Sequence, residues 1–268
     1  MITYFITLDR IKERSNYIEA HVNQLKLDAC KISAVDGKTL TYDDIARECN
    51  IKRVESSRNW LTDGAIGCAL SHKLAYKKFL ETSEKAAFII EDDAVLPENI
   101  KSILDAISNH IKSNEVILLY YTSFKPTRIS KLNGVELSGL DLSLYYPVDV
   151  EQPITATAYC IGREAAEGVL KANTPIEVAA DSWYYFFSKG AFTYFRLLYP
   201  APIVTMNYKS SIDYFKKGSF KAWLSEIINK YKIPLLYQYV KNKRAENLKS
   251  MLNHFELVEE KSPIAKVE

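Results

Sequence analysis

The chain alternates short apolar runs with longer stretches of helical spacing. Ile2 to Leu8 is a β-rich apolar run that breaks at Asp9-Arg10. From about Lys12 to Leu25, apolar residues recur at Ile18, Val22 and Leu25, one face of a helix. Lys31 to Val35 reads as a second strand, closed by the turn signal Asp36-Gly37. Strand, helix and strand in succession predict a βαβ unit and hence a parallel sheet.

The next helix opens at Thr62-Asp63-Gly64, where Thr62 or Asp63 supplies the cap. Ile66, Leu70, Leu74 and Phe79 carry it to about Glu81. Gly64 and Gly67 weaken such a helix by roughly 1 kcal/mol each relative to alanine. They make sense where backbone approaches another element or a ligand closely. Ala86 to Ile90 is continuously apolar, as in a buried central strand, and ends abruptly in Glu91-Asp92-Asp93.

A helix from about Pro97 to Ile111 follows, with proline in its first turn, and then a strand from Val116 to Tyr121. Thr122 to Pro153 is punctuated by Pro and Gly and reads as loops and short strands. Thr155 to Ile161 predicts a strand, Arg163 to Ala172 a helix, and Pro175 to Asp181 an extended segment. Ser182 to Ser188 is aromatic-rich, and Phe192 to Leu198 reads as a strand. The expected architecture is one α/β domain with a mostly parallel sheet flanked by helices.

Composition adds few constraints. Hydrophobic residues are 47% and charged residues 25% of 268, ordinary for a soluble globular protein. A chain of this length buries roughly 70–75% of its unfolded surface and needs no staples. The N-terminus lacks the basic, apolar and small-residue regions of a secretory signal, and no apolar run is long enough to span a membrane. Cys30, Cys49, Cys68 and Cys160 form no CxxC pair, so reduced, partly buried thiols in a cytosolic protein are expected, without a zinc site.

Charge distribution is more informative than the net +2. Between Lys216 and Ser250 nine Lys/Arg face two Glu, a local +7, which leaves the rest of the chain at −5. Residues 214–268 are therefore expected to be a helical, basic and aromatic tail, beyond a catalytic domain spanning 1–213. Its lysines alternate with Phe220, Trp223, Tyr231 and Tyr237, a surface attracted to anionic lipid headgroups, although a solvated helix face has the same composition. No nucleic-acid reader motif accompanies it, and nucleic acid is not an expected partner.

The acidic triplet carries the chemistry. In an open α/β sheet, ligands bind outside the carboxyl ends of strands, where this triplet sits. Adjacent carboxylates repel, and a divalent cation such as Mn²⁺ or Mg²⁺ relieves that repulsion while neutralising a diphosphate. Strand alternation sends Glu91 and Asp93 to one side and Asp92 to the other. This favours Asp93, with Glu91 or Asp92, for the metal and ribose contacts. The alternative is a solvated acidic loop.

Leu8-Asp9-Arg10, Ala34-Val35-Asp36-Gly37, Gly64 through Ser71-His72 and Ile90-Glu91-Asp92-Asp93-Ala94, taken in that order, resemble glycosyltransferase family 25. Thr157 through Ala166 and Pro175-Ile176 through Asp181 continue the resemblance, which covers roughly residues 1–213. It implies a GT-A-like fold, a UDP-sugar donor (often UDP-galactose), Mn²⁺ dependence and inversion at the anomeric carbon. It places Leu8, Asp9 and Arg10 near the uracil or ribose, Asp36 and Gly37 in the same nucleotide pocket, and Glu91, Asp92 and Asp93 at the ribose and metal-diphosphate. The implied acceptor is a lipid-linked lipooligosaccharide glycan on the cytoplasmic face of a membrane.

Inverting transfer also needs a base for the acceptor hydroxyl. Asp181 is the expected base, with Glu177 as alternate; a helix cap is the other reading of Asp181. Trp183, Tyr184 and Tyr185 are acceptor-stacking candidates. Ser71 and His72 are donor-site candidates or structural residues. Arg10 either meets phosphate or belongs to a surface ion-pair set with Asp9, Glu13 and Arg14. Asn207 and His254 are guesses for a third metal ligand. Competing readings are transfer of glucose or N-acetylglucosamine, a non-catalytic carbohydrate-binding module, and a metal-dependent phosphohydrolase.

Overall fold

The computed structural model describes residues 1–57, 60–206 and 255–265. Strand β1 (Ile2–Thr7), helix α1 (Lys12–Gln24) and strand β2 (Ala29–Ser33) form the expected βαβ unit. Two short helices, α2 (Tyr42–Glu48) and α3 (Ile51–Ser56), lead to α4 (Asp63–Leu80), β3 (Ala86–Glu91) and a two-residue strand β4 (Ala94–Val95). The chain continues through α5 (Ile100–Ser108), β5 (Glu115–Leu118), a long hairpin of β6 (Thr127–Leu137) and β7 (Leu142–Pro147), and β8 (Ala158–Gly162). Helices α6 (Arg163–Ala172) and α7 (Trp183–Ser188) precede β9 (Tyr194–Tyr199), β10 (Val204–Thr205) and β11 (Phe255–Val258).

Nine strands form one sheet in the order β11-β6-β7-β9-β5-β8-β3-β1-β2, and β4 pairs with β10 apart from it. Strands β7 and β8 run against the other seven. The α/β architecture is thus a mixed, mostly parallel sheet. Side-chain alternation builds a core on each face. Tyr4, Ile6 and Ile89 meet Ala75, Tyr76 and Phe79 of α4 and Ala165 and Val169 of α6. Phe5, Phe88 and Ile90 meet Ile18 and Val22 of α1 and Ile100, Ile103 and Ile107 of α5. A third cluster, with Ile45, Val54, Leu61, Ile66 and Leu70, packs α2 and α3 against the start of α4.

Several boundaries differ from those the sequence predicts. The segment 122–153 contains the long β6–β7 hairpin, whose register shifts between Ser130 and Val135. There Asn133 takes a left-handed φ of 61°, and the shift hides the two-residue alternation. Helix α5 starts at Ile100 because Pro97 to Asn99 form a turn, in which the Ile100 amide donates to the Pro97 carbonyl at 3.0 Å. Strand β5 begins at Glu115, a fully buried carboxylate paired with Arg196 of β9. It ends at Leu118, because the Leu119 and Tyr120 amides converge on one carbonyl, that of Ala158. Within the stretch expected to be a helical tail, Phe255–Val258 is a strand parallel to β6. The basic run 216–250, Asn207 and His254 lie outside the described residues.

Candidate active site

Strand β1 leads through α1 to β2 on one side and has β3 on the other, so a crevice opens beyond the carboxyl ends of β1 and β3. A cleft of about 200 Å³ lies there, lined among others by Thr7, Leu8, Arg10, Asp36, Gly37 and the whole Glu91-Asp92-Asp93 triplet. Asp9 is the exception among the first-strand candidates. It faces solvent and pairs with Lys31 at 2.8 Å. Arg10 binds Asp36 across the cleft mouth, which holds the Asp36 carboxyl below its usual range.

Strand alternation divides the triplet. Glu91 stands opposite Ile6 in the β1–β3 register and therefore faces α4. Its carboxylate meets His72 Nε2 at 3.4 Å and accepts from the Cys68 thiol at 3.5 Å and the Thr157 hydroxyl at 3.4 Å. Asp92 turns to the opposite face. It accepts from the Thr7 hydroxyl at 2.9 Å and from the Arg14 guanidinium, which α1 brings to it. Asp93 follows at the edge, 3.7 Å from Arg14. Its backbone carbonyl accepts from the Met206 amide at 2.8 Å, and β10 braces the chain there against β4.

Helix α4 is seated by its glycines. A Cβ on Gly67 would lie 2.6 Å from the Val35 carbonyl oxygen, and one on Gly37 would lie 2.1 Å from that of Asp63. The loop after β2 and the start of α4 thus touch backbone to backbone, the close approach those glycines predict. Ser71 fastens the contact: its hydroxyl donates to Gly67 O at 2.6 Å and accepts from the Val35 amide at 2.9 Å. Ser71 lines the cleft but holds its wall together.

His72 lies below the cleft floor, 1% exposed. Its Nδ1 is 2.7 Å from the Tyr159 hydroxyl, which is 2.7 Å from the Tyr76 hydroxyl. The Glu91 carboxylate can only accept, which puts a proton on Nε2. In the neutral ring Nδ1 then accepts from Tyr159, and Tyr76 donates to Tyr159, so every buried donor is used.

Asp181 arrives from a remote segment and joins this cluster. Burial, and then the Glu91 charge, raises its carboxyl above the usual range, while His72 and the Thr155 amide oppose the shift. Thr155 itself has a φ of 85°, an unusual conformation for a β-branched residue at a place where its backbone serves two partners. Its carbonyl accepts the Trp183 indole N–H at 2.8 Å. Trp183 is 1% exposed and packs edge-to-face on Tyr159, so it is a core residue and leaves no face for a sugar. Tyr184 is exposed on the next position. Glu177 accepts from Asn50 and from the Tyr185 hydroxyl, both at 2.8 Å. It ties α3 to α7, and Tyr185 is occupied by the same tie.

The electrostatics are uneven. Burial tends to raise Glu91, yet the hydrogen bonds from His72 and Cys68 and the nearby Arg14 charge bring its carboxyl below the usual range. Burial raises Asp92 against the pull of Arg14. Burial and the neighbouring Glu91 push Asp93 up to about 7. Burial and then Glu91 and Asp181 also push the Cys68 thiol well up, so it stays protonated.

The residues fit a divalent cation. Asp93 Oδ1 is buried and accepts no hydrogen bond among the described residues. Four carboxyls, those of Glu91, Asp92, Asp93 and Asp181, gather around the Arg14 guanidinium and the His72 imidazole. Asp93 and Glu91 offer the hard oxygen donors that Mg²⁺ or Mn²⁺ prefers. Cys68, His72 and Glu91 also bring three potential ligand atoms within 4.8 Å of one another. Cys68 and His72 sit one helical turn apart, an i,i+4 spacing that a search for CxxC pairs passes over.

Arg14 and Tyr159 were missed by sequence reasoning. Arg14 reads as a surface ion-pair member but reaches Asp92, because one face of α1 packs beside β1 and β3. Tyr159 reads as strand core, and nothing local marks its hydroxyl.

This chain belongs to glycosyltransferase family 25. Residues 1–184 match the family described as Glycosyltransferase family 25 (LPS biosynthesis protein). A Haemophilus influenzae protein assigned provisionally as a glycosyltransferase is 28% identical over 183 residues, 67% of this chain and 61% of that protein. An Aedes aegypti glycosyltransferase 25 family member is 33% identical over 95 residues, 34% of this chain and 16% of its own length. Human procollagen galactosyltransferase 2 is 24% identical over 176 residues, 63% of this chain and 27% of its own length. The match thus spans about three fifths of the bacterial relative and smaller parts of the animal ones.

Proposed function

We propose that the protein is an inverting glycosyltransferase that moves a sugar, galactose first among the candidates, from a UDP-sugar to a lipooligosaccharide glycan. The observation that carries this reading is the orphaned Asp93 oxygen in a negatively charged cleft at the β1–β3 switch point. The galactosyltransferase name of the human relative favours galactose, and the family's description favours a lipopolysaccharide-type acceptor. A cytoplasmic enzyme working at the inner membrane face follows from that acceptor.

In this reading the nucleotide lies along Thr7, Leu8, Arg10, Asp36 and Gly37. Asp93 and Glu91 hold Mn²⁺ or Mg²⁺, which supplies charge neutralisation to the leaving diphosphate. Arg14 and Thr7 fix Asp92, and His72 fixes Glu91, so the carboxylates are oriented before substrate arrives. Asp181 accepts the proton of the acceptor hydroxyl as that oxygen bonds to the anomeric carbon and the bond to UDP breaks. Burial beside Glu91 raises the basicity of Asp181, which suits this role.

The test is UDP release from a panel of UDP-sugars with and without Mn²⁺, for the native chain and Asp93→Ala. Metal-dependent release from one donor is expected, reduced roughly 100-fold or more by the substitution. Release from UDP-glucose or UDP-N-acetylglucosamine alone would reassign the donor. Hydrolysis that no acceptor accelerates would make the protein a phosphohydrolase, and failure to bind UDP would end the transferase reading.

A further inference from the structure

We propose that Trp60 and Phe124 form a stacking platform for a sugar ring of the acceptor glycan. The proposal rests on the glycosyltransferase reading and adds the acceptor side of the site. The two side chains are each 65% exposed, although they come from loops far apart in sequence. Their rings meet edge-to-face, 6.4 Å between centroids at 67°.

Both rings stand on anchored stems. The Trp60 and Leu61 amides converge on the Ser57 carbonyl at 2.9 and 2.8 Å, Leu61 is buried, and Thr62 caps α4. Ser123 is fully buried, and its hydroxyl donates to the Lys125 carbonyl at 2.6 Å. Thr122 exchanges two backbone hydrogen bonds with Ile154, at 3.2 and 2.9 Å. The structure therefore presents two aromatic rings to water in contact with each other.

The same stems place the pair at the site. Four chain steps separate Trp60 from Gly64 on the cleft wall, which limits their Cα separation to about 15 Å. Phe124 lies two residues beyond Thr122, whose partner Ile154 precedes the Thr155 amide that holds Asp181. The nucleotide pocket lies at the ends of β1 and β2, the carboxylates at the end of β3, and Phe124 beyond the end of β5. Phe124 is thus on the side of the carboxylates away from the nucleotide pocket, and Trp60 reaches it from the start of α4.

A pyranose ring fits this surface. The C–H bonds on its apolar face carry partial positive charge and sit well on the negative face of an aromatic ring, while its hydroxyls stay in water. Two rings offer at most a few hundred Å², below the roughly 1,000 Å² that a specific protein partner needs. A membrane-inserted tip is the competing occupant, which the experiment addresses.

The experiment compares the native chain with Trp60→Ala, Phe124→Ala and the double variant, all exposed positions. Binding of free β-galactosides, β-glucosides and β-N-acetylglucosaminides is measured by saturation-transfer NMR with UDP and Mn²⁺ present. UDP affinity and acceptor-free UDP-sugar hydrolysis are measured in parallel. Each single substitution should weaken binding of one sugar class about tenfold, with UDP affinity and hydrolysis unchanged. No sugar binding by the native chain, or equal binding by the double variant, overturns the platform. So does tryptophan fluorescence that responds to anionic vesicles and not to any sugar, when Trp60→Ala abolishes that response. Because sugar binding is read without turnover, an absent transferase activity would count against the enzyme reading and leave this result standing.

Discussion

The two walls of the cleft are built in different ways. On the β2 side, main chain rests on main chain: Gly37 and Gly67 let the loop and α4 touch, and Ser71 ties them. On the β8 side, side chains do the work, in a buried line from Tyr76 through Tyr159 and His72 to Glu91. The first wall tolerates no added volume. The second does not tolerate the loss of a hydrogen-bonding atom. The carboxylates between them follow the same division, with Glu91 well supplied with partners and Asp93 left with a bare oxygen.

The largest effect is expected from Gly67→Ala. As a helix residue alanine gains about 1 kcal/mol, but its Cβ would sit 2.6 Å from Val35 O and 2.7 Å from Gly37 N. Neither backbone atom can move without opening the wall. The clash outweighs the propensity, with a net loss of about 1–3 kcal/mol and loss of UDP binding. Denaturant unfolding and UDP titration read both. An unchanged midpoint with normal UDP affinity would show that this wall is not close-packed.

Tyr159→Phe probes the other wall and should cost less in UDP binding. It removes one buried hydroxyl and strands two partners, Tyr76 and His72, at about 1–3 kcal/mol. Tyr76→Phe should cost less, because Tyr159 can still donate to His72. The double variant should cost little more than Tyr159→Phe alone. Additive costs in this double-mutant cycle would mean that the hydroxyls do not act as one line.

The smallest effect is a pH dependence confined to the metal-free protein. The Asp93 carboxyl keeps its proton up to about 7 in the fold, whereas the ordinary value is 3.8. Across that window the folded chain binds more protons than the unfolded one, so stability falls as pH rises. Asp92 and Asp181 are shifted the same way, and Glu91 the opposite way. Asp93→Asn should flatten the slope of melting temperature against pH, and a steeper slope would assign the shift elsewhere.

Much of this was legible in residues 1–118. The βαβ unit, the central strand and the acidic triplet follow from apolar runs and polar breaks, and the two glycines of α4 announced a close contact. The β6–β7 hairpin was not legible, because the register shift at Ser130 and Val135 breaks its alternation. Asp181 was singled out by its neighbours in sequence. Its neighbours in space are what give it a raised pKa, and no local pattern contains them.

The sequence by itself determined which segments become strands and helices, and that three carboxylates would end a buried strand, because periodicity and burial are properties of short stretches. Only the tertiary structure decided which partner each carboxylate meets. Strand parity sends Glu91 to α4 and Asp92 to α1, and packing then brings His72, Arg14 and Asp181 to meet them from positions far apart in the chain. It also decided that Trp183 is core while Trp60 faces water, since a tryptophan looks the same in either place until the layers around it are assembled.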